Sequence, residues 1–428
     1  MFKESLSVFT KALKIEDVRK KLLYVLLILF IYRIGANVPL PGIDFETWQW
    51  FRTWGGHQTL IGAITGGGIG TIFAMGIGPF ITASIIMQLL TVAIPKLEEL
   101  KKEGEEGKKK INQYTRILAV FMAFFQGIGM VFMLSMDQIF MYPGFLTYTI
   151  ALMSLVTGTM FVMWLGELLT ERGVGNGTSF MIFANILAGV PMGIFGLFNR
   201  GVMGEWAAII IAGLVGVLIV FLGLMIFAIL LQGGERRLPV QNSKKMVGAT
   251  GRTSGSQNSY IPLKVNMAGV MALIFSLSIL GFPEMISMVW STPLLDSIVR
   301  ILSITDPHPI GAIIYAALII GFTFFYTSFS INPIEMAENM KKNGGFIPGI
   351  RPGKPTSDYI QRTVYRLSWI GAGFYVTLAM IPIVFQWFTG IPIGFGGTTL
   401  LIVTGVALEL VKQIESQLLM RHYKGFLS

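Results

Sequence analysis

Apolar runs long enough to cross a lipid bilayer recur along the whole chain, and they restrict its fold more than any other feature. An α-helix rises about 1.5 Å per residue, so roughly twenty apolar residues cover the ~30 Å of hydrocarbon. Ten spans are predicted, at 22–38, 72–93, 115–136, 146–168, 178–198, 206–231, 267–290, 309–331, 367–388 and 398–419. Backbone polar groups inside lipid must bond to one another, so each span is read as a helix and the fold as an all-α membrane protein. Charge is sparse at 13%, against about a quarter in soluble domains. The chain has no cysteine, which excludes disulfides, thiol catalysis and Cys-ligated metals. His57, His308 and His422 are too scattered to form a metal site.

Lysine and arginine fix the expected orientation, because they accumulate on the cytoplasmic side. With the N-terminus inside, only Arg52, Arg200 and Arg300 of the 33 Lys and Arg residues fall outside. Arg33 and Lys412 fall within spans, and Lys412 is three residues from Glu409, with which it can pair. Both termini are therefore expected in the cytoplasm. Residues 1–21 alternate Phe9, Leu13 and Ile15 with Lys11, Lys14, Arg19 and Lys20. They are expected to lie along the inner surface as an amphipathic segment, not as a cleaved signal peptide.

The count splits into five spans before residue 200 and five after it. An odd number per half makes the second half enter the membrane inverted, with the functional centre between the halves. The expected organisation is 1–21 as the surface segment, 22–200 as the first half, 201–419 as the second and 420–428 as a tail.

Positive charge concentrates in three inner loops, 96–112, 233–265 and 332–366. Ordinary topology and anionic phospholipids explain much of it, but not loops of this length. The last loop reads NPIEMAENMKKNGGFIPGIRPGK over 332–354. MAENMKK suits one or two helical turns, which Gly344-Gly345 would end. Pro348-Gly349 and Pro352-Gly353 then flank Arg351 with two rigid turns. The loop is built to hold one guanidinium out for a partner.

Ion-coupled carriers place ionisable residues deep in their spans. The spans at 206–231 and 309–331 have none, and Glu167 and Glu171 sit at the inner end of theirs, beside Arg172. No catalytic set and no nucleotide-binding motif is present, so an intramembrane enzyme is disfavoured and energy must come from a partner or from the proton-motive force. A passive conduit is favoured over the alternative, a small-solute transporter built from inverted repeats. The outer segment QTLIGAITGGGIG at 58–70 is too short to span and too apolar for an ordinary loop. It reads either as a re-entrant element inside a protein-lined cavity or as an interfacial loop on the helix ends.

Several long stretches together resemble one family. These are YRIGANVPLPGID (32–44), FAMGIGPFITASIIMQLL (73–90), GTMFVMWLGELLTERGVGNG (158–177), PLKVNMAGV (262–270), the 332–354 loop and FGGTTLLIVTGVALE (395–409). End to end, the chain is similar to the SecY family of bacterial protein-conducting channels. The resemblance implies an hourglass of two five-helix halves opening like a clamshell in the cytoplasmic (inner) membrane. Signal-sequence-bearing preproteins would pass through its middle, or leave sideways into lipid. It implies SecE and SecG as partner subunits, and the SecA motor ATPase or the ribosome as docked drivers.

The family's waist falls here on Ile77, Ile81, Ile182, Ile274 and Ile402. A ring of branched aliphatics around a narrow hole dewets, resisting ions without gripping a polypeptide. The 58–70 element becomes the plug, through Leu60, Ile61, Ile64, Gly66, Gly67 and Gly68. A lateral gate would run between spans two and three on one side and seven and eight on the other. Thr82 and Gln88 would tune that gate, or else make ordinary interhelical hydrogen bonds. Arg351 matches the family's critical arginine and Arg236-Arg237 its basic pair at a loop tip, with Lys341, Lys342 and Lys354 as further docking candidates. Guanidinium forks onto carboxylate and RNA phosphate alike; lipid head groups are the other reading of Arg236-Arg237. One stretch departs from the pattern: LPVQNSKKMVGATGRTSGSQNSY after Arg237 is less basic than the family tract and carries Pro239.

Overall fold

The computed structural model describes residues 15–48, 68, 70–136, 138–173, 175–187, 219, 222–230, 232–242, 259–268, 270–287, 290, 292–303, 308–389 and 402–414. The helices in chain order are α1 (Glu16–Gly35), α2 (Gly78–Ala93), α3 (Pro95–Lys102), α4 (Glu105–Met136), α5 (Phe145–Arg172) and α6 (Gly177–Leu187). They continue with α7 (222–230), α8 (Met271–Ser287), α9 (Pro293–Leu302), α10 (Pro309–Ser330), α11 (Pro333–Lys342), α12 (Lys354–Thr389) and α13 (402–414). Three strands interrupt this series: β1 (Glu235–Asn242), β2 (Ser259–Lys264) and β3 (Gly345–Phe346).

The protein is mostly helical, and its helices carry apolar side chains outward. On α1, Leu26, Phe30 and Ile34 form an exposed stripe at four-residue spacing, while Val25, Ile28 and Tyr32 face inward. Apolar side chains on both faces of one helix suit a bilayer and not water. Among the described residues, four helical stretches are long and apolar enough to cross a membrane, or five if the bent pair α2–α3 is one span. Those stretches are α4, α5, the α10–α11 stretch and α12. The ten-span count is not reached on this test.

Three sequence expectations change. The second span begins at Gly78, because residues 70–77 form turns, with Gly70 and Gly76 at positive φ. Gly78 and Pro79 open α2, and proline suits the first helical turn, where no amide partner is needed. The end of the surface segment, from Glu16 to Lys21, continues α1 directly, with Val18 packed beside Ile414 of α13. The described parts of the three basic loops are largely folded. The first becomes α3 and the start of α4, and α2 and α3 meet at a 100° bend where Ile94 is extended and Pro95 begins the next helix.

Two close approaches set the helix arrangement. A Cβ at Gly158 of α5 would meet the Ile72 carbonyl oxygen at 2.2 Å, and one at Gly177 would meet that of Gly166 at 2.0 Å. Glycine lets the 70–77 turn lie against α5 and lets α6 fold back onto it. The Gly177 amide also donates to Thr170 Oγ1 at 2.9 Å. Arg116 of α4 and Glu167 of α5 pair at 2.8 Å, so Glu167 serves helix packing. Glu409 accepts from Gln413 at 3.5 Å, and no Glu409–Lys412 ion pair occurs among the described residues.

Candidate functional site

Apolar packing gathers the candidate waist from four helices. Ile77 caps α2, Ile182 lies on α6, Ile274 on α8 and Ile402 begins α13. All five predicted isoleucines belong to one apolar cluster, with Ile77, Ile182 and Ile402 buried and Ile81 and Ile274 partly so. The Ile81 amide donates to the Ile77 carbonyl at 3.1 Å, which sets the two side chains one helical turn apart. Val270, Ile186, Val403 and Val406 join the same cluster. The i, i+4 relation of Val270, Ile186 and Val406 to Ile274, Ile182 and Ile402 was the available sequence signal; Val403, next to Ile402, had none. Residues from before 190 and after 265 meet here mainly through apolar side chains, with the buried Asn185 on α6 and Thr404 on α13 close by in the chain.

Gln232 Nε2 reaches Thr404 Oγ1 at 3.3 Å in a buried contact, tying the end of α7 to α13. Of the plug candidates, Leu60, Ile61, Ile64, Gly66 and Gly67 lie outside the described residues. Gly68 is described, and its carbonyl accepts from the Thr71 amide at 3.2 Å and from Thr71 Oγ1 at 2.9 Å. The chain following it is pinned to the end of α1: the Leu40 amide donates to the Gly70 carbonyl and the Ile72 amide to that of Val38.

On the candidate gate, α8 touches both α2 and α4. Thr82 Oγ1 donates to the Gly78 carbonyl at 3.2 Å, and Gln88 Nε2 to Ser84 Oγ at 3.3 Å. Both bonds lie within α2. The interhelical bonds expected as the alternative reading are not formed by either residue among the described contacts.

The described parts of the two large basic loops join in one sheet. β1 pairs antiparallel with β2 from Glu235↔Lys264 to Val240↔Ser259, and its far end pairs with β3 through Gln241↔Phe346 and Asn242↔Gly345. The strand order β2-β1-β3 joins residues from the 233–265 loop to the 332–366 loop. Pro239 is tolerated because β3 pairs only with residues 241 and 242, leaving that flank of β1 an edge. Beneath the sheet, Leu238, Val240, Leu263, Met340, Ile347, Ile360, Val364 and Leu367 form a separate apolar core. Burial of one such aliphatic side chain from water contributes about 1.5–3 kcal/mol, enough in sum to fix the platform as a unit. An all-α fold is thereby corrected to a helical protein carrying a small sheet.

The Asn332 side chain caps α11, accepting from the Ile334 amide at 3.2 Å and the Glu335 amide at 3.4 Å. Pro333 fills the first turn, so this helix begins earlier than the MAENMKK core suggested. Gly344 ends it at φ 71°, and Gly349 and Gly353 take φ 81° and 105° on either side of Arg351. Thr356 Oγ1 donates to the Arg351 carbonyl at 2.8 Å. The backbone of Arg351 is held while its side chain is exposed, and it makes no ion pair among the described residues. Lys341, Lys342 and Lys354 are exposed on the same body.

Arg236 and Arg237 are not at a loop tip, as expected, but within β1. Regular pairing with β2 carries the strand through them. Arg237 binds Glu235 at 2.8 Å and stacks 4.8 Å from the Tyr260 ring. The Glu235 hydrogen bond holds its guanidinium above the ordinary arginine pKa. Half-committed in this way, Arg237 is a weaker docking candidate than Arg236, which is exposed and makes no ion pair among the described residues.

Apolar outer faces, an aliphatic centre and spanning helices define a multi-pass α-helical membrane protein. The SecY family model matches residues 71–411. The chain is 42% identical to the protein translocase subunit SecY of Halalkalibacterium halodurans, covering 97% of this chain and 98% of that one. With its Bacillus subtilis counterpart it shares 40% over the same fractions. The chain belongs to the SecY family. A solved structure described as a protein conducting channel superposes with TM-score 0.65 at 21% identity, over 92% of this chain and 91% of that one. Sec61 in the canine ribosome-channel complex superposes with TM-score 0.60 at 20% identity, over the same fractions. Both show the fold.

Proposed function

We propose that this chain is the channel subunit of a protein translocase, through which secretory polypeptides cross the bacterial cytoplasmic membrane. Hydrophobic segments would leave its side into lipid. The observation that carries the reading is the meeting of Ile77, Ile81, Ile182, Ile274 and Ile402 in one cluster fed by four helices. A dry aliphatic closure blocks ions at rest, and an extended chain can part it without breaking a hydrogen bond. The ten-helix, two-half architecture with both termini inside belongs to this proposal, as does the plug at 58–70. SecE and SecG would complete the heterotrimer, with anionic phospholipids around its basic margin.

The platform serves as the docking surface for the SecA motor or the ribosome, with Arg351 at its prominence. Exposed cations on a rigid base suit acidic side chains and RNA phosphates. The chain performs no chemistry in this reading, and ATP hydrolysis belongs to the docked motor.

Reconstitution tests it. Proteoliposomes holding this chain with its two small subunits, given the motor ATPase, ATP and a signal-bearing precursor, are expected to shelter the precursor from added protease. No sheltered precursor, with solute flux appearing instead, would favour a small-solute transporter.

A further inference from the structure

The α3 helix follows α2 in the first half of the chain, whereas α10 belongs to the second. Lys101 of α3 nevertheless lies over the ring of Phe329, in the last turn of α10, with Nζ 3.3 Å from the ring centroid. The 100° bend at Ile94-Pro95 is what turns α3 off the axis of α2. The neighbouring Lys102 is engaged by Glu98 at 2.7 Å. Lys101 is placed differently, and partial burial lowers its ammonium pKa against the opposing pull of Glu98. Phe329 in turn leans on Tyr326 of the same helix, with ring centroids 6.4 Å apart.

We propose that Lys101 and Phe329 form a clasp across the basic end of the candidate lateral gate, holding the α2–α4 side against the α8–α10 side at rest. The proposal rests on the channel reading for its purpose, though not for its geometry. A cation on an aromatic face suits a seam that must open repeatedly. It is short-ranged and lacks the fixed register of a bidentate ion pair, and release strands no buried carboxylate. The ammonium returns to water or lipid phosphate, and the ring to lipid. Such a contact biases a two-state equilibrium modestly, by about fivefold, which a docking motor can override.

The absence of native cysteine makes the test direct. Lys109→Cys on α4 and Ile334→Cys on α11 place spin labels at exposed positions on the two sides. Pulsed electron-spin distances are then read in nanodiscs on the full chain with its partner subunits. Lys101→Met and Phe329→Leu are each expected to raise the long-distance population about fivefold. The double variant should match the singles, and Lys101→Arg should resemble the native chain. A native-like distribution in Lys101→Met would overturn the clasp, as would single effects that multiply in the double variant. The distances need no translocation, so a precursor that fails to cross would count against the channel reading alone.

Discussion

Arg351→Glu is expected to stop motor-driven secretion while the chain still inserts and assembles. The Arg351 side chain is exposed, and Thr356 binds only its backbone carbonyl, so the fold does not depend on the guanidinium. A carboxylate in its place meets whatever acidic groups the docked partner presents. Disrupting one side of a hydrogen-bonded charge pair at an interface costs about 2–5 kcal/mol, a loss of at least thirtyfold in affinity. Pulse-labelled precursor should accumulate unprocessed, with the level of the variant chain unchanged. Arg351→Lys keeps the charge and loses the fork, so intermediate secretion is expected. Normal secretion by Arg351→Glu would remove the platform's assigned role.

The second large effect concerns the waist. Replacing Ile77, Ile81, Ile182, Ile274 and Ile402 together by Ser should leave the idle channel leaking ions in planar bilayers. Hydroxyls at the constriction hold water where aliphatic carbon excludes it, so conductance should rise by an order of magnitude or more. Ile→Ser also removes packing, at about 2–5 kcal/mol for each fully buried side chain. A parallel Ile→Val set separates the causes, since it loosens the cluster yet keeps it apolar. The Val set should remain tight; unchanged conductance in the Ser set would contradict the waist.

Much of the helical pattern was legible in the sequence because lipid imposes one rule on every span. Each predicted span contains helical residues among those described. The five candidate waist residues were singled out through family likeness alone, since isoleucine in a membrane helix carries no local signature, and the structure gathers them in one cluster. What escaped was long-range pairing. Nothing in ERRLPVQN announces a strand whose partners lie at 259–264 and again at 345–346. β-pairing depends on residues brought together by the fold, and Pro239 fits the strand only because its other flank is an edge among the described residues. The Lys101–Phe329 contact escaped for the same reason, as 228 positions separate two side chains whose local patterns are ordinary. Helix boundaries slipped where turns meet spans, at Gly76-Ile77-Gly78 above all, because apolar turns read like helix.

The central claim is that a translocating polypeptide passes between the five isoleucines. It is tested most directly by placing a single cysteine at Ile182 in the cysteine-free chain, arresting a precursor midway with a folded C-terminal domain, and crosslinking. The account predicts disulfide adducts from Ile182→Cys to cysteines in the middle of the arrested precursor, and none from a lipid-facing control such as Leu26→Cys. Equal labelling at both positions, or adducts at Leu26→Cys alone, would contradict it.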